Sequence, residues 1–557
     1  MLSIFTAERI TEADPAREPA RPRGRRIAGW VLTALAGALV YAAVVAPDQH
    51  TRLTLGAFVR IPVEGLAGAA LLLLLPRRPR TVVAIVAGAL LSVSILIQLL
   101  DLGMWTFLNR QFDLVADWGL LDDGVAFLRD AVGRAGSIAA VVVAVLLVAA
   151  VPVLLALSVL RLSRAAARHR SGTAAGVAVL AVAWIVAALL GTQLVPDVPV
   201  AARSQVDLVQ TRTLAVRASL QDKQAFAAAV ATDAFRTTPD DQLLTALRGK
   251  DVIVSFVESY GRSALEDREQ AAIVGPALAA RERQLAAAGF TARSGFITSS
   301  TFGGYSWLAH ASLQSGLPIN GQQRYRSLVA TDRLTLTGAF RRAGWGTVAV
   351  EPDNTYAWPE GAFYGYQQVY DSRSLGYAGP QFGWSRMPDQ YTMSAFQRLV
   401  YGKPHAPTMA EVTLTSSHTP WAPLPQIVDW KTIGDGAAVY GRQARYGNSP
   451  ESVWKDPRRV RTEYARSIAY SLDSLLSWVQ TYGKNNLVLV FLGDHQAASI
   501  VSGPNATYDV PITIVAKDPA VLSRAAGWDW QRGLRPGPTA PVWPMEAFRD
   551  RFLTTFR

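Results

Sequence analysis

Hydrophobic positions along the chain follow two different patterns. Up to Val195 they form long blocks: Ile27–Ala46, Thr81–Leu100, Ser137–Leu160 and Thr173–Val195 are each long enough to cross a hydrocarbon layer of about 30 Å, and Ile61–Leu75 is a shorter block of the same kind. From Asp251 onward the apolar runs become short and β-branched, and they alternate with stretches of helical spacing. The strands predicted by this pattern are Val252–Val257, Thr347–Glu351, Met409–Leu414 and Leu487–Leu492, and the helices are Gly275–Ala288, Ser306–Ser315, Leu334–Ala343 and Thr462–Tyr482. Such alternation predicts an α/β domain with a mostly parallel central sheet covered by helices on both faces. Residues 196–250 carry Ala, Gln, Arg and Asp at helical spacing and read as a juxtamembrane helical linker.

Charge then orients the apolar blocks. The chain of 557 residues is half hydrophobic, carries a net charge of +12 and has no cysteine, so disulfides and thiolate metal sites are excluded. Much of the excess arginine lies beside the apolar blocks, which argues for membrane topology and against a nucleic-acid partner. If Ile61–Leu75 crosses, Arg17–Arg26, Arg77–Arg80 and Arg161–Arg170 all face the cytoplasm, with Asp113, Asp117, Asp122 and Asp123 in an external loop. The expected organisation is a basic cytoplasmic N-terminus (1–26), an α-helical transmembrane bundle of five spans (27–195), the linker (196–250) and an extracytoplasmic domain (251–557), a multi-pass protein of a bacterial cell membrane. Glu64 lies one helical turn from Arg60 inside the second block, and an i,i+4 ion pair near the interface accounts for it.

Candidate chemistry collects at the ends of the predicted strands. Val252–Val257 stops on Glu258, the position just beyond a parallel strand where open α/β sheets bind ligands. Leu487–Gly493 stops on Asp494-His495, an oxygen and a nitrogen donor suited to zinc or manganese, and Gly493 allows close backbone approach. The stretch Ser300-Thr301-Phe302-Gly303-Gly304-Tyr305-Ser306 brings glycines ahead of a helix and puts Ser306 at its N-terminus, where negative charge is favoured. Each of these signals has a bland alternative, a helix cap or a structural pair, but three such ends bearing Glu, Ser and Asp-His compose a site.

The ordered set VSFVES, the glycine-rich hydroxyl stretch ending in SGLP, TLTSSHTPW, YARSIAYSLDSLLSWV and VFLGDH resembles the alkaline phosphatase superfamily, within it the membrane-anchored sulfatase-like branch of lipoteichoic acid synthases and phosphoglycerol transferases. The resemblance spans Asp251–Gly503. It implies an alkaline-phosphatase-like (sulfatase-like) fold, one divalent metal ion (manganese first, zinc or magnesium as alternatives) held by Glu258, Asp494, His495 and the nucleophile, and a nucleophile that is Ser306 or Thr301. It further implies that His418 contacts substrate and can protonate a leaving alkoxide, and that Trp358 stands at a substrate-contacting position. Here the sequence reads Trp358-Pro359-Glu360 where that branch carries Trp-Asn-Arg, so the headgroup-binding arginine is absent at that position. Sulfatases convert a Cys or Ser within Cys/Ser-x-Pro-x-Arg to formylglycine; Ser306-Trp307-Leu308-Ala309-His310 lacks both that Pro and that Arg, and His310, in the arginine's place, is a candidate phosphate contact.

The activity this implies is metal-dependent transfer of a phosphoglycerol-type headgroup from a membrane phospholipid donor to an envelope glycan or polyol acceptor, through a covalent Ser or Thr intermediate. The alternatives are an extracytoplasmic phosphodiesterase or sulfatase-type hydrolase, a phosphoethanolamine transferase, or an envelope-binding protein without activity. The phosphoethanolamine transferases are disulfide-rich and this chain has no cysteine; the intact ligand set argues against inactivity.

Overall fold

The computed structural model describes residues 23–47, 55–108, 110–195 and 198–557. Most of the predicted basic N-terminus, 1–22, lies outside the described residues. The chain divides into two compact units.

The first unit comprises the described parts of Met1–Pro47, Leu53–Leu96 and Val145–Leu208. It holds α1 (Arg23–Val45), α2 (Val63–Leu74) and α5 (Arg170–Leu190) whole, and shares with the second unit α3 (Arg77–Leu108, up to Leu96), α4 (Leu120–Arg168, from Val145; the helix is broken at Gly133, φ 75°) and α6 (Ser204–Ala231, up to Leu208). Stretches of α1, α3, α4 and α5 are long and apolar enough to cross a membrane; α2, at 12 residues, rises only about 18 Å. Large apolar side chains such as Trp30, Leu74, Leu189 and Leu190 are exposed on these helices, as a lipid-facing surface requires.

Polar contacts tie opposite ends of these helices together. Arg161 on α4 donates to Gly29 O and, at 3.0 Å, to Thr33 Oγ1 on α1. At the other ends of the helices, Tyr41 donates to Arg60 O at 2.7 Å, Gln205 Nε2 donates to Val44 O at 3.0 Å, and Ser94 bonds to Gln205. Glu64 departs from the expected ion pair: its Oε1 accepts the backbone N–H groups of Gln205 (2.8 Å) and Val206 (3.0 Å), at the first turn of α6. Unsatisfied amides at a helix start attract a carboxylate more strongly than an exposed arginine one turn away. Arg60 Nε instead donates to Pro199 O at 3.1 Å.

The second unit holds a sheet of nine strands. In chain order they are β1 (Asp251–Val257), β2 (Thr291–Thr298), β3 (Gly346–Glu351), β4 (Gln368–Asp371), β5 (Thr408–Leu414), β6 (Leu487–Gly493), β7 (Asp509–Ala516), β8 (Gln531–Arg532) and β9 (Val542–Pro544). The order is β8-β2-β7-β6-β1-β5-β3-β4, with β9 also paired to β2. From β6 through β4 every pairing is parallel, while β7 runs antiparallel between β6 and β2. All four predicted strands form, and β2, β4, β7, β8 and β9 are additional.

Helices cover both faces. Ile253 and Val257 of β1 pack with Leu489 and Phe491 of β6 under α7 (Arg268–Ala287) and α9 (Pro457–Tyr482), through Val274, Leu278, Ile468 and Leu475. The alternating residues Val252, Val254 and Phe256 face the other way, with Val488, Val490 and Leu492, against Ala309 and Leu313 of α8 (Ser306–Ser315). Both faces of β1 and β6 are buried, the reason their sequences are continuous apolar runs rather than alternating ones.

Candidate active site

Register delivers the chemistry. In the parallel β1–β6 pair Gly493 stands opposite Val257, so Glu258 and Asp494 leave their strands at the same level, side by side. A Cβ at Gly493 would lie 2.0 Å from the carbonyl oxygen of Tyr260, so no larger residue fits between these two strand ends. Ser259 adopts φ 57°, outside the usual range for a residue with a Cβ, and this turn directs its N–H to Asp494 Oδ1 at 2.7 Å while its hydroxyl donates to Glu258 Oε1 at 2.7 Å. Tyr464 of α9 holds the turn by donating to Ser259 O at 2.8 Å.

The glycine-rich stretch reaches the same place through the loop after His495. Phe302 bridges to Gln496, and Gly303 (φ 70°) donates its N–H to Gln496 O at 2.9 Å. Tyr305 at φ 62° then starts α8, and the Ser306 hydroxyl lies 2.9 Å from Glu258 Oε2 and 3.2 Å from His495 Nε2. His495 Nδ1 is 3.0 Å from Gln496 O, an atom that can only accept; Nδ1 therefore carries the proton and Nε2 presents a lone pair to the site.

Glu258, Asp494 and His495 are buried and offer ligand atoms within 4.8 Å of one another. Burial alone would raise the Glu258 carboxyl, but the positive charge that His495 and His418 carry when protonated, with the hydrogen bond from Ser259, holds it at about 2. Asp494 moves the other way, pushed well above the usual carboxylate range by burial and by the charge on Glu258. Its Oδ1 accepts two backbone N–H groups, while Oδ2 is buried without a partner. Two enclosed carboxylates, one imidazole lone pair and an unsatisfied oxygen fit a divalent cation, which takes the place of the proton that Asp494 otherwise holds.

The other predicted residues are distributed around this group. His418 is partly exposed, stacked on Trp384 at 3.9 Å between ring centroids, with Nδ1 2.7 Å from Thr419 O. Thr301 is buried, and its Oγ1 has no hydrogen-bond partner; no contact joins it to the carboxylates among the described residues. Trp358 belongs to an aromatic cluster with Tyr364 and Tyr366 at 5.4 and 5.9 Å. His310, one turn beyond Ser306, faces Glu411 and Glu351. Sequence reasoning missed Ser259, Tyr464, Trp384 and both of these glutamates; a carboxylate in the middle of the apolar run Met409–Leu414 and another ending the strand Thr347–Glu351 were the available signals.

The Sulfatase family model matches residues 250–511. No curated protein matches the chain in sequence. Among solved structures, the lipoteichoic acid synthase LtaP from Listeria monocytogenes is 15% identical over 56% of this chain and 72% of its own, with a TM-score of 0.38. The phosphoglycerol transferase GacH from Streptococcus pyogenes, in complex with sn-glycerol-1-phosphate, is 13% identical over 60% and 90% (TM-score 0.35). The C-terminal periplasmic domain of EcEptC from Escherichia coli, in complex with Zn, is 13% identical over 54% and 80% (TM-score 0.36). The family match and the donor set at the strand ends, rather than these overall superpositions, carry the assignment. Residues 250–511 form a sulfatase-family domain, and the chain is a sulfatase-like enzyme over that stretch.

Proposed function

We propose that the protein transfers a phosphoglycerol-type headgroup from a membrane phospholipid to an envelope glycan or polyol hydroxyl, with Ser306 as nucleophile. The observation that carries this reading is a serine hydroxyl at a helix N-terminus, within hydrogen-bond reach of Glu258 and His495, in a chain whose described residues include four helices apolar enough to cross a membrane. Glu258, Asp494 and His495 would hold one divalent ion; when bound, it supplies Lewis-acid stabilisation of negative charge on the phosphoryl oxygens and favours ionisation of the nearby hydroxyl.

The Ser306 hydroxyl gives its proton to Glu258 Oε2, 2.9 Å away, and its oxygen attacks phosphorus in line. The bond from phosphorus to the diacylglycerol oxygen breaks, and His418, whose Nε2 is left available by the Nδ1 contact to Thr419 O, gives that oxygen a proton. The acceptor hydroxyl then gives its proton to His418 and attacks the same phosphorus, the Ser306–phosphorus bond breaks, and the proton held by Glu258 returns to Ser306. Charge developing near Ser306 is stabilised by the first turn of α8. Thr301 remains the rival nucleophile from sequence resemblance, but lacks the contacts that support Ser306.

Five spans and an exported catalytic domain complete the proposal. Arg161 near Gly29, and Tyr41, Ser94 and Glu64 near the opposite helix ends, support α2 as a descending segment between α1 and α3. Such a segment makes the number of crossings odd.

The test is headgroup transfer by the purified full-length protein in vesicles of mixed phosphatidylglycerol and phosphatidylethanolamine with manganese. Release of diacylglycerol together with a glycerophosphate-bearing acceptor supports the proposal; release of free headgroup alone makes the protein a hydrolase, and ethanolamine phosphate on the acceptor assigns the other donor.

A further inference from the structure

A second group of ionisable side chains is enclosed between α8 and the sheet, one helical turn beyond Ser306. His310 on α8, Glu351 at the end of β3 and Glu411 within β5 offer ligand atoms within 4.8 Å of one another. Register explains the convergence. Val350 of β3 stands opposite Val412 of β5, so Glu351 leaves its strand beside Thr413, two positions from Glu411 on the same face. That face is the one α8 covers, because Met409 packs with Ala309 and Leu313.

The group leaves ligand capacity unused. The His310 ring lies flat on Phe256, 3.6 Å between centroids at 12°, with Nδ1 3.0 Å from Glu411 Oε1; its Nε2 is buried and has no hydrogen-bond partner. Glu411, whose side chain is 1% exposed, accepts a hydrogen bond from Gln314 Nε2, and Glu351 Oε1 accepts from Thr413 Oγ1 at 3.1 Å. Both donors are neutral, and no lysine or arginine pairs with either carboxylate among the described residues. Two carboxylates and an imidazole thus converge in one place, and the ring leaves a buried polar atom unsatisfied.

We propose that His310, Glu351 and Glu411 bind a second divalent transition-metal ion, separate from the one assigned to Glu258, Asp494 and His495. Two carboxylate oxygens and an imidazole suit zinc or manganese better than a cation that takes oxygen ligands only. Such an ion ties α8 to β3 and β5 and so fixes the height of Ser306, at the N-terminal end of the same helix, over the sheet edge.

Metal content of the full-length protein tests this without an activity assay. Protein stripped with chelator, reloaded with Mn2+ or Zn2+ alone and desalted is expected to hold two ions per chain by mass spectrometry of the metal. Glu351→Gln should hold one, Asp494→Asn should hold one, and the double variant none, each with an unchanged far-ultraviolet circular dichroism spectrum. Glu411→Gln, in the tighter position, serves as the second variant and should also hold one. Wild type holding a single ion that Asp494→Asn removes, or two ions undiminished by Glu351→Gln and Glu411→Gln, overturns the second site. A single ion lost with Glu351→Gln but kept in Asp494→Asn supports this site and sinks the first assignment.

Discussion

Ser306 has the one hydroxyl, among the described residues, within hydrogen-bond distance of both Glu258 and His495. Its replacement by alanine should lower turnover by roughly 10³-fold or more while leaving the ion at Glu258, Asp494 and His495 bound. Thr301→Ala should keep most of the activity; the reverse pattern passes the role to Thr301. His418→Ala should lower kcat by roughly 10²- to 10⁴-fold, and a substrate with a more acidic leaving alcohol should recover much of that loss, since it needs no proton donor. Gly493→Ala drives a Cβ into the Tyr260 carbonyl and should cost about 3 kcal/mol, read by denaturant unfolding. At this scale Glu258, Asp494 and His495 were legible, because a buried strand that ends on a polar residue announces itself. The positive φ of Ser259 and the Phe256–His310 stacking leave no mark in the residues themselves; they arise only when β1, β5 and α8 are assembled.

Among the elements, the loop that carries His418 depends on one buried carboxylate. Asp389 Oδ1 accepts the N–H groups of Thr415 (2.7 Å) and Ser416 (3.0 Å), and burial raises its carboxyl to about 6 from an ordinary value of 3.8. The folded protein therefore binds a proton more tightly than the unfolded chain, so this group's contribution is fully present below about pH 3.8 and is lost as pH rises through about 6. Asp389→Asn, which keeps the accepting oxygen and cannot ionise, should flatten that loss by on the order of 2 kcal/mol in urea unfolding at successive pH values between 4 and 7. An unchanged slope would remove Asp389 from this role. The four parallel strands and the helices behind them could be read from apolar runs, whereas β7 could not: Pro511 argues against a central strand. It is tolerated because the β6–β7 register ends at Leu492 and Ile512, one residue before the proline would need a ladder bond. Helix starts were misplaced by several residues, α9 beginning at Pro457 behind the Asp456 cap and α7 at Arg268 behind Asp267, since charged first turns hide apolar periodicity.

At the level of the whole molecule, the proposed function needs the sulfatase-family domain outside the cell and the arginine clusters inside. Because the chain has no cysteine, single cysteines report topology without background. Cysteine at Tyr446, 88% exposed, should react with a membrane-impermeant maleimide in intact cells, while cysteine at Arg78 or Arg168 should react only after permeabilisation. Labelling of both groups from the same side would contradict five crossings. The apolar blocks were plain in the sequence, but the fate of Ile61–Leu75 was not, since 12 helical residues are too few to decide a crossing by length.

The central claim, a covalent intermediate on Ser306, is tested most directly by mass spectrometry of the peptide that carries Thr301 and Ser306. The purified protein is incubated with phosphatidylglycerol vesicles and manganese without an acceptor, then quenched in acid. The account predicts a glycerophosphate adduct that fragmentation assigns to Ser306 and that Ser306→Ala lacks. An adduct on Thr301, or formylglycine at position 306, would contradict it.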